Sequence, residues 1–278
     1  MKDSSDIIQS PEHRKKLEKL EALKTELAGL ISERDHLENT VRKNLEALYA
    51  TKIGVNEYDQ FKIECEVARL KRKIELFQKK INHGEKFDAA KIDNQLDEEY
   101  KKWERQMSDM LDDIERSKKR LGSLMSKEDS IELHNTYRFL VKKLHPDVAT
   151  RQTEKSKMLW NRTMEAYERN DLEELKALKL LIDDTGEPDE AVAAPGIDGN
   201  IESVKKKVFS LMDYIKKIKS EFPFTIEDSI YDEKWVSDKN AEIFNKINDL
   251  KDKKARLETI IDELILKNMG APESDTVN

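Results

Sequence analysis

The chain is poor in the residues that interrupt helices. Its 278 residues include 8 glycines and 6 prolines, together about 5%, against roughly 12% in average proteins. A β-sandwich or β-barrel needs a turn about every dozen residues, so this scarcity argues against both classes. Charged residues make up 39% of the chain and aromatic residues 6%, which is typical of the solvated faces of long helices. We therefore predict an all-α fold.

Other absences exclude classes of site and partner. The single cysteine, Cys65, excludes an internal disulfide framework and a multi-cysteine zinc site. No apolar run approaches the roughly 18 residues that span a bilayer, and the polar start of the chain lacks an export signal. The net charge of −7 is not typical of a nucleic-acid or anionic-membrane binder. We expect a cytoplasmic protein that binds neither nucleic acid nor membrane.

Catalytic and metal-binding motifs are also missing. The sequence has no glycine-rich phosphate loop and no spacing that supports a Ser/His/Asp arrangement. The motif Glu33-x-x-His36 occurs once, whereas carboxylate-bridged metal sites in helical bundles need two copies. We therefore expect neither an enzyme nor a bound cofactor or metal.

Apolar residues recur at heptad spacing through the first part of the chain. One run follows Ser10-Pro11, a second follows Gly54 and a third follows His83-Gly84. Short glycine-marked connections imply antiparallel neighbours, so residues 11–122 are expected to form a long antiparallel coiled coil or slender helical bundle. Alternatively, a second copy of the chain supplies the partner helices, which would make a homodimer.

The remaining predicted parts are a linker, a C-terminal helical hairpin and the two termini. Residues 184–200 are rich in glycine, proline and acidic side chains, which predicts a flexible linker. Two apolar helical stripes within residues 201–268 predict a C-terminal helical hairpin. Residues 1–10 and 269–278 are expected to be disordered.

Residues 123–183 have a different sequence pattern from the long predicted helices on either side. Ser126 with Asp129 predicts a helix start, and apolar residues from Tyr137 to Leu144 then lie on one helical face. The other face carries Arg138, Lys142 and Lys143. Because proline disfavours a helical conformation in the residue before it, the helix should end near Leu144 and present His145-Pro146-Asp147 on a tight loop. A second helix should follow from about Thr153 to Arg169, and a third from Asp171 to Ile182.

At these residues the sequence resembles the J-domain family, the co-chaperones of DnaK-type heat-shock chaperones. That family places an aromatic residue, a basic residue and a leucine on one helix, then His-Pro-Asp, then a helix with a large aromatic residue and Glu-Ala-Tyr. The residues that match are Tyr137, Arg138, Leu140, Lys143, His145, Pro146, Asp147, Trp160, Glu165, Ala166 and Tyr167. The family's first helix, with its Tyr-x-x-Leu-Gly ending, is not recognisable, and neither its glycine-rich region nor its zinc module is present.

The resemblance implies a function and a set of site residues. It implies docking on a DnaK-type ATPase and stimulation of its ATP hydrolysis, while the helical arms recruit an unknown client protein. The expected partner-binding residues are His145, Pro146, Asp147, Arg138, Lys142 and Lys143. The expected core of the J-like module is Tyr137, Leu140, Val141, Leu144, Trp160, Ala166 and Tyr167.

Two alternatives remain open. In the first, the chain is a structural coiled-coil scaffold and the J-like segment is a vestigial spacer. In the second, the chain binds nucleic acid through the lysine clusters at 205–207 and 251–254. ATPase stimulation separates the first alternative from the co-chaperone hypothesis, and a salt-dependent shift of DNA or RNA tests the second.

Overall fold

The computed structural model describes residues 11–149, 153–183 and 196–270, and within them the fold is all α, a packed helical bundle without strands. The predicted disordered N-terminus, most of the predicted linker and most of the predicted disordered tail lie outside the described residues. The first 72 described residues form one continuous helix. Its parts are α1 (Pro11–His36), α2 (Arg42–Tyr49) and α3 (Val55–Asn82), joined by π-helical turns at Leu37–Val41 and Ala50–Gly54.

Seven further α-helices follow along the described chain. The longest are α4 (Ala89–Gly122), α8 (Ile197–Lys219) and α10 (Glu233–Gly270). The shorter helices are α5 (Lys127–Leu144), α6 (Glu154–Glu168), α7 (Leu172–Asp183) and α9 (Glu227–Ile230), and a 3₁₀ turn at Phe224–Ile226 precedes α9.

The chain reversal predicted at Gly54 is wrong. Gly54 has helical backbone angles (φ −55°, ψ −30°) and lies inside the continuous helix. A glycine within a helix costs about 1 kcal/mol relative to alanine, and packing can supply more than that. Here the neighbouring Ile53 is only 1% exposed, and the π-helical turn at Ala50–Gly54 packs against α4 and α10. Tertiary contacts therefore keep the helix continuous at Gly54, although glycine favours a helix break.

We expect Gly54→Ala to stabilise the protein by about 0.5–1 kcal/mol, because alanine loses less backbone entropy on entering a helix. A Cβ at this position would meet Ala50 Cβ and Tyr49 O at 3.7 Å, which is ordinary van der Waals contact. A rise in the urea midpoint measured by circular dichroism would confirm the expectation. The control is Gly84→Ala, which should destabilise, since Gly84 has a φ of +68°. A lower midpoint for Gly54→Ala would show that the helix bends or opens at this point.

The break predicted at His83-Gly84 is confirmed. Helix α3 ends at Asn82, and the left-handed backbone of Gly84 lets the N–H of Glu85 reach the carbonyl of Lys80 at 3.0 Å. Asp88 then caps α4 by accepting from the N–H groups of Ala90 and Lys91. Ion pairs of Arg69 with Asp97 and of Lys73 with Asp93 show that α3 and α4 run antiparallel, as expected.

The chain divides into two compact units, each built from two separate stretches of sequence. Unit 1 combines Met1–Asn44 with Leu124–Thr225, and unit 2 combines Leu45–Ser123 with Ile226–Asn278. In unit 1, α1 packs on α8 and α5, and α5 packs on α6 and α7. In unit 2, α3 packs on α10 and α4. The two helices of the predicted C-terminal hairpin thus belong to different units, with α1 and α3 as their main partners.

Candidate partner-binding corner

The helix that carries the candidate site begins and ends where local chemistry predicts. The Ser126 hydroxyl accepts the N–H of Asp129 at 3.0 Å and caps the first turn of α5. The helix ends at Leu144, because His145 precedes a proline and takes extended angles (φ −63°, ψ 132°). Glu128 and Asp129 occupy the first turn and Lys142 and Lys143 the last, an arrangement that complements the helix dipole.

A dense aromatic core lies beneath α5. Tyr137 is fully buried, and its ring stacks on Tyr167 with centroids 3.8 Å apart and planes 13° from parallel. Its hydroxyl donates to the buried carboxylate of Asp35 on α1 at 2.7 Å. Among the other residues expected in the core, Trp160 is partly buried and the rest are at most 3% exposed: Leu140, Val141, Leu144 and Ala166.

Residues His145, Pro146 and Asp147, which we call the corner, form a hydrogen-bonded turn at the end of α5. The carbonyl of His145 accepts the N–H groups of Val148 and Ala149 at 3.0 and 2.8 Å. The N–H of Asp147 donates to Nδ1 of His145 at 3.0 Å. Because Nδ1 accepts this bond, it carries no proton, and the neutral ring holds its proton on Nε2.

The imidazole of His145 is held from a second side by Trp160. The two rings meet edge to face, with centroids 4.9 Å apart. Burial lowers the pKa of His145, and the opposing effect of the Asp147 carboxylate is weaker. The ring is therefore neutral at neutral pH, and the contact with Trp160 and the hydrogen bond to Nδ1 hold it in place.

The outer half of the corner is open to solvent. Pro146 and Asp147 are both exposed, whereas Val148 is 3% exposed and anchors the turn. The Asp147 carboxylate pairs with Lys207 of α8 at 2.7 Å. Sequence reasoning did not include Lys207 in the site, since the two residues are 60 positions apart and no local pattern joins them.

Three cations line the exposed face of α5 beside the corner. We call Arg138, Lys142 and Lys143 the basic ridge; all three are exposed, and no carboxylate in the described part of the chain pairs with them. Gly29 of α1 leaves room for the guanidinium, because a Cβ there would come within 3.1 Å of Nη2 of Arg138. The structure thus places the ridge and the corner on the same helix end, as the sequence predicted for these residues.

A histidine pair that the sequence did not single out joins α1 to α5. The rings of His36 and His134 have centroids 4.7 Å apart, and Nδ1 of His36 lies 3.3 Å from the Tyr167 hydroxyl. Burial, and then the neighbouring His134, lower the pKa of His36 to about 4. Burial and Arg138 lower the pKa of His134, whose buried Nδ1 has no hydrogen-bond partner among the described residues.

The Glu33-x-x-His36 motif and Cys65 lie outside the corner. Glu33 pairs with Lys219 at 2.7 Å, and no three potential metal ligands cluster anywhere in those ranges. Burial raises the pKa of the Cys65 thiol to about 11, so the reactive thiolate is scarce at neutral pH. None of the described helices has the length and apolar character needed to cross a membrane.

Comparison with known proteins assigns no relative. No protein-family model matches the chain, and neither a curated protein nor a solved structure matches it. A functional assignment therefore depends on the residues of the corner and of the basic ridge.

Proposed function

We propose that this protein is a J-domain-type co-chaperone that docks on a DnaK-type ATPase through the corner and stimulates its ATP hydrolysis. The J-like module comprises residues 123–183, and the helices outside it recruit the client. One observation carries the proposal. An exposed proline and an exposed carboxylate stand at the end of a helix whose three neighbouring cations have no carboxylate partner among the described residues.

Each part of the site has a distinct physical role in this proposal. The basic ridge attracts an acidic surface and sets the register of docking, which affects association rate and salt dependence more than affinity. Asp147 accepts a charge-assisted hydrogen bond from a cation of the partner. Pro146 and the hydrogen bond from Asp147 N–H to His145 Nδ1 hold the turn rigid, so that less entropy is lost on docking.

The protein acts on the partner's reaction without catalytic residues of its own. A binding protein accelerates hydrolysis in another chain only if it binds the hydrolysis-competent state more tightly than the resting state. The fixed geometry of the corner suits this task, since a preformed surface selects one arrangement of the partner. The proposal therefore requires that binding of this protein and ATP hydrolysis by the partner be coupled.

The direct test is ATPase stimulation with purified protein and a panel of DnaK-type chaperones. We expect wild type to raise single-turnover hydrolysis several-fold. Asp147→Asn and His145→Gln should return it to the basal rate while circular dichroism stays unchanged, because both residues lie in the corner and outside the helices. Glu154→Gln is the matched control: it neutralises an exposed acid of α6 that pairs with Lys157, and it should keep full stimulation.

The scaffold hypothesis predicts a different set of results. A scaffold would self-associate in sedimentation experiments and would stimulate none of the chaperones, with or without the corner substitutions. Failure of the wild-type protein across the whole panel, or equal stimulation by wild type and Asp147→Asn, would overturn the co-chaperone proposal.

A further inference from the structure

Helix α8 brings a cation to the carboxylate that the proposed docking requires. Lys207 Nζ lies 2.7 Å from Asp147 Oδ1. Lys207 is next to the apolar stripe of α8, where Val204 and Val208 are 8% and 7% exposed in the core of unit 1. Its backbone position is therefore fixed by packing, while its side chain is 44% exposed.

Polar contacts toward both ends of α8 hold it against α1 and the π-helical turn that follows α1. Near its start, Asp198 pairs with Lys16 at 2.6 Å. Near its end, Lys219 pairs with Glu33 at 2.7 Å, and the Tyr214 hydroxyl donates to Glu38 at 2.8 Å. Together with the buried stripe, these contacts place Lys207 beside the corner as a built-in feature of unit 1.

Occupation of Asp147 by Lys207 conflicts with capture of a partner cation. A guanidinium binds a carboxylate best when both oxygens are available for parallel hydrogen bonds. With the Lys207 ammonium on Oδ1, only Oδ2 remains fully available. We propose that Lys207 is an intramolecular competitor that must leave Asp147 before the partner docks, so that α8 limits the activity of the corner. This inference rests on the proposed function.

The expected size of the effect follows from the exposure of the pair. The two side chains are 44% and 47% exposed, and ion pairs between exposed groups contribute about 0 to 1 kcal/mol. Removal of Lys207 should therefore strengthen docking by up to about fivefold. Salt screens such a pair, so the gain should shrink as ionic strength rises.

The test compares Lys207→Ala with Lys206→Ala in the full chain. Both variants remove one exposed lysine of α8, but only Lys207 pairs with Asp147. At low salt we expect Lys207→Ala to reach half-maximal ATPase stimulation at a two- to fivefold lower concentration than wild type. Lys206→Ala should leave that concentration unchanged or raise it, since it only removes a positive charge near an acidic partner. In about 0.5 M salt the difference between the variants should disappear.

A second measurement reports the ion pair without any chaperone. Brief acetylation with acetic anhydride followed by mass spectrometry should modify Lys207 more slowly than Lys206, because the contact with the Asp147 carboxylate shields the Lys207 amine from the reagent. In Asp147→Asn the two lysines should react at similar rates. Equal reactivity in the wild type would overturn the inference.

The two proposals fail in different ways. If no wild-type or variant protein stimulates any chaperone, the proposed function fails, whatever the acetylation shows. If wild type stimulates and Asp147→Asn does not, but Lys207→Ala is unchanged or weaker, the function stands and the competition by Lys207 is wrong.

Discussion

Tyr137→Ala should destabilise unit 1 by about 3–5 kcal/mol, the range for removing a large buried aromatic side chain. The substitution removes the ring stacked on Tyr167 and leaves a cavity between α5 and α6. It also leaves Oδ2 of the buried Asp35 without its hydroxyl donor, although Arg34 still contacts Oδ1. A buried carboxylate that loses a donor adds its own desolvation cost.

Tyr137→Phe separates the two contributions. It keeps the ring and removes only the hydroxyl, so it should cost about 1–3 kcal/mol. Ile131→Ala on the same helix is the control and should change stability by less than about 0.5 kcal/mol, since Ile131 is 53% exposed. Hydrogen exchange followed by mass spectrometry measures the loss in each unit separately. Unchanged protection of α5 in Tyr137→Ala would contradict the aromatic core as the basis of this unit.

Acid should weaken unit 1 before carboxylates begin to protonate. His36, His134 and His145 all have pKa values lowered by burial, His36 to about 4. A histidine that binds protons less readily when folded contributes stability that is complete above its unfolded pKa, about 6.5, and is lost as pH falls toward the folded pKa. Since partial contact with water screens these charges, we expect a loss of about 2 kcal/mol between pH 7 and pH 5.

Urea unfolding at pH 7, 6 and 5 measures this dependence. His36→Gln should remove part of it, because glutamine does not titrate. His83→Gln should retain all of it, since His83 is exposed and lies outside unit 1. The surroundings of His36 and His134 determine the direction of their pKa shifts. His36 contacts His134 and Tyr167, and His134 lies near Arg138 and Glu33. A stability that is constant from pH 7 to pH 5 would contradict the burial of these rings.

Both expectations concern the attachment of α1 to α5 and α6. Asp35 and His36 are neighbours on α1, and each contacts an aromatic or histidine side chain of α5 or α6. In unit 1, α1 packs directly on α5. Helix α1 is therefore part of the fold that supports the corner.

Local sequence signals were reliable for the module. The Ser126 cap, the end of α5 before Pro146 and the start of α6 after Thr153 all lie where the sequence predicts them. These features depend on hydrogen bonds and steric contacts within a few residues, so the local sequence contains the information. The buried face of α5 follows in the same way from helical periodicity.

Features that depend on distant residues were not predictable in the same way. A heptad pattern shows that a helix has an apolar stripe, but it does not name the helix that covers the stripe. The sequence favoured pairing within residues 11–122, whereas α1 packs on α8 and α5. Continuity at Gly54 and the contact of Lys207 with Asp147 likewise depend on packing between segments far apart in sequence.

The sequence by itself determined the helical class, most helix ends and the position of the turn of histidine, proline and aspartate, because caps, prolines and periodicity act locally. The tertiary structure decided which helices share a core, that Asp35 is buried against Tyr137, and that a lysine of α8 reaches the corner. Those outcomes depend on a choice among many similar apolar stripes, and only the packed chain makes that choice.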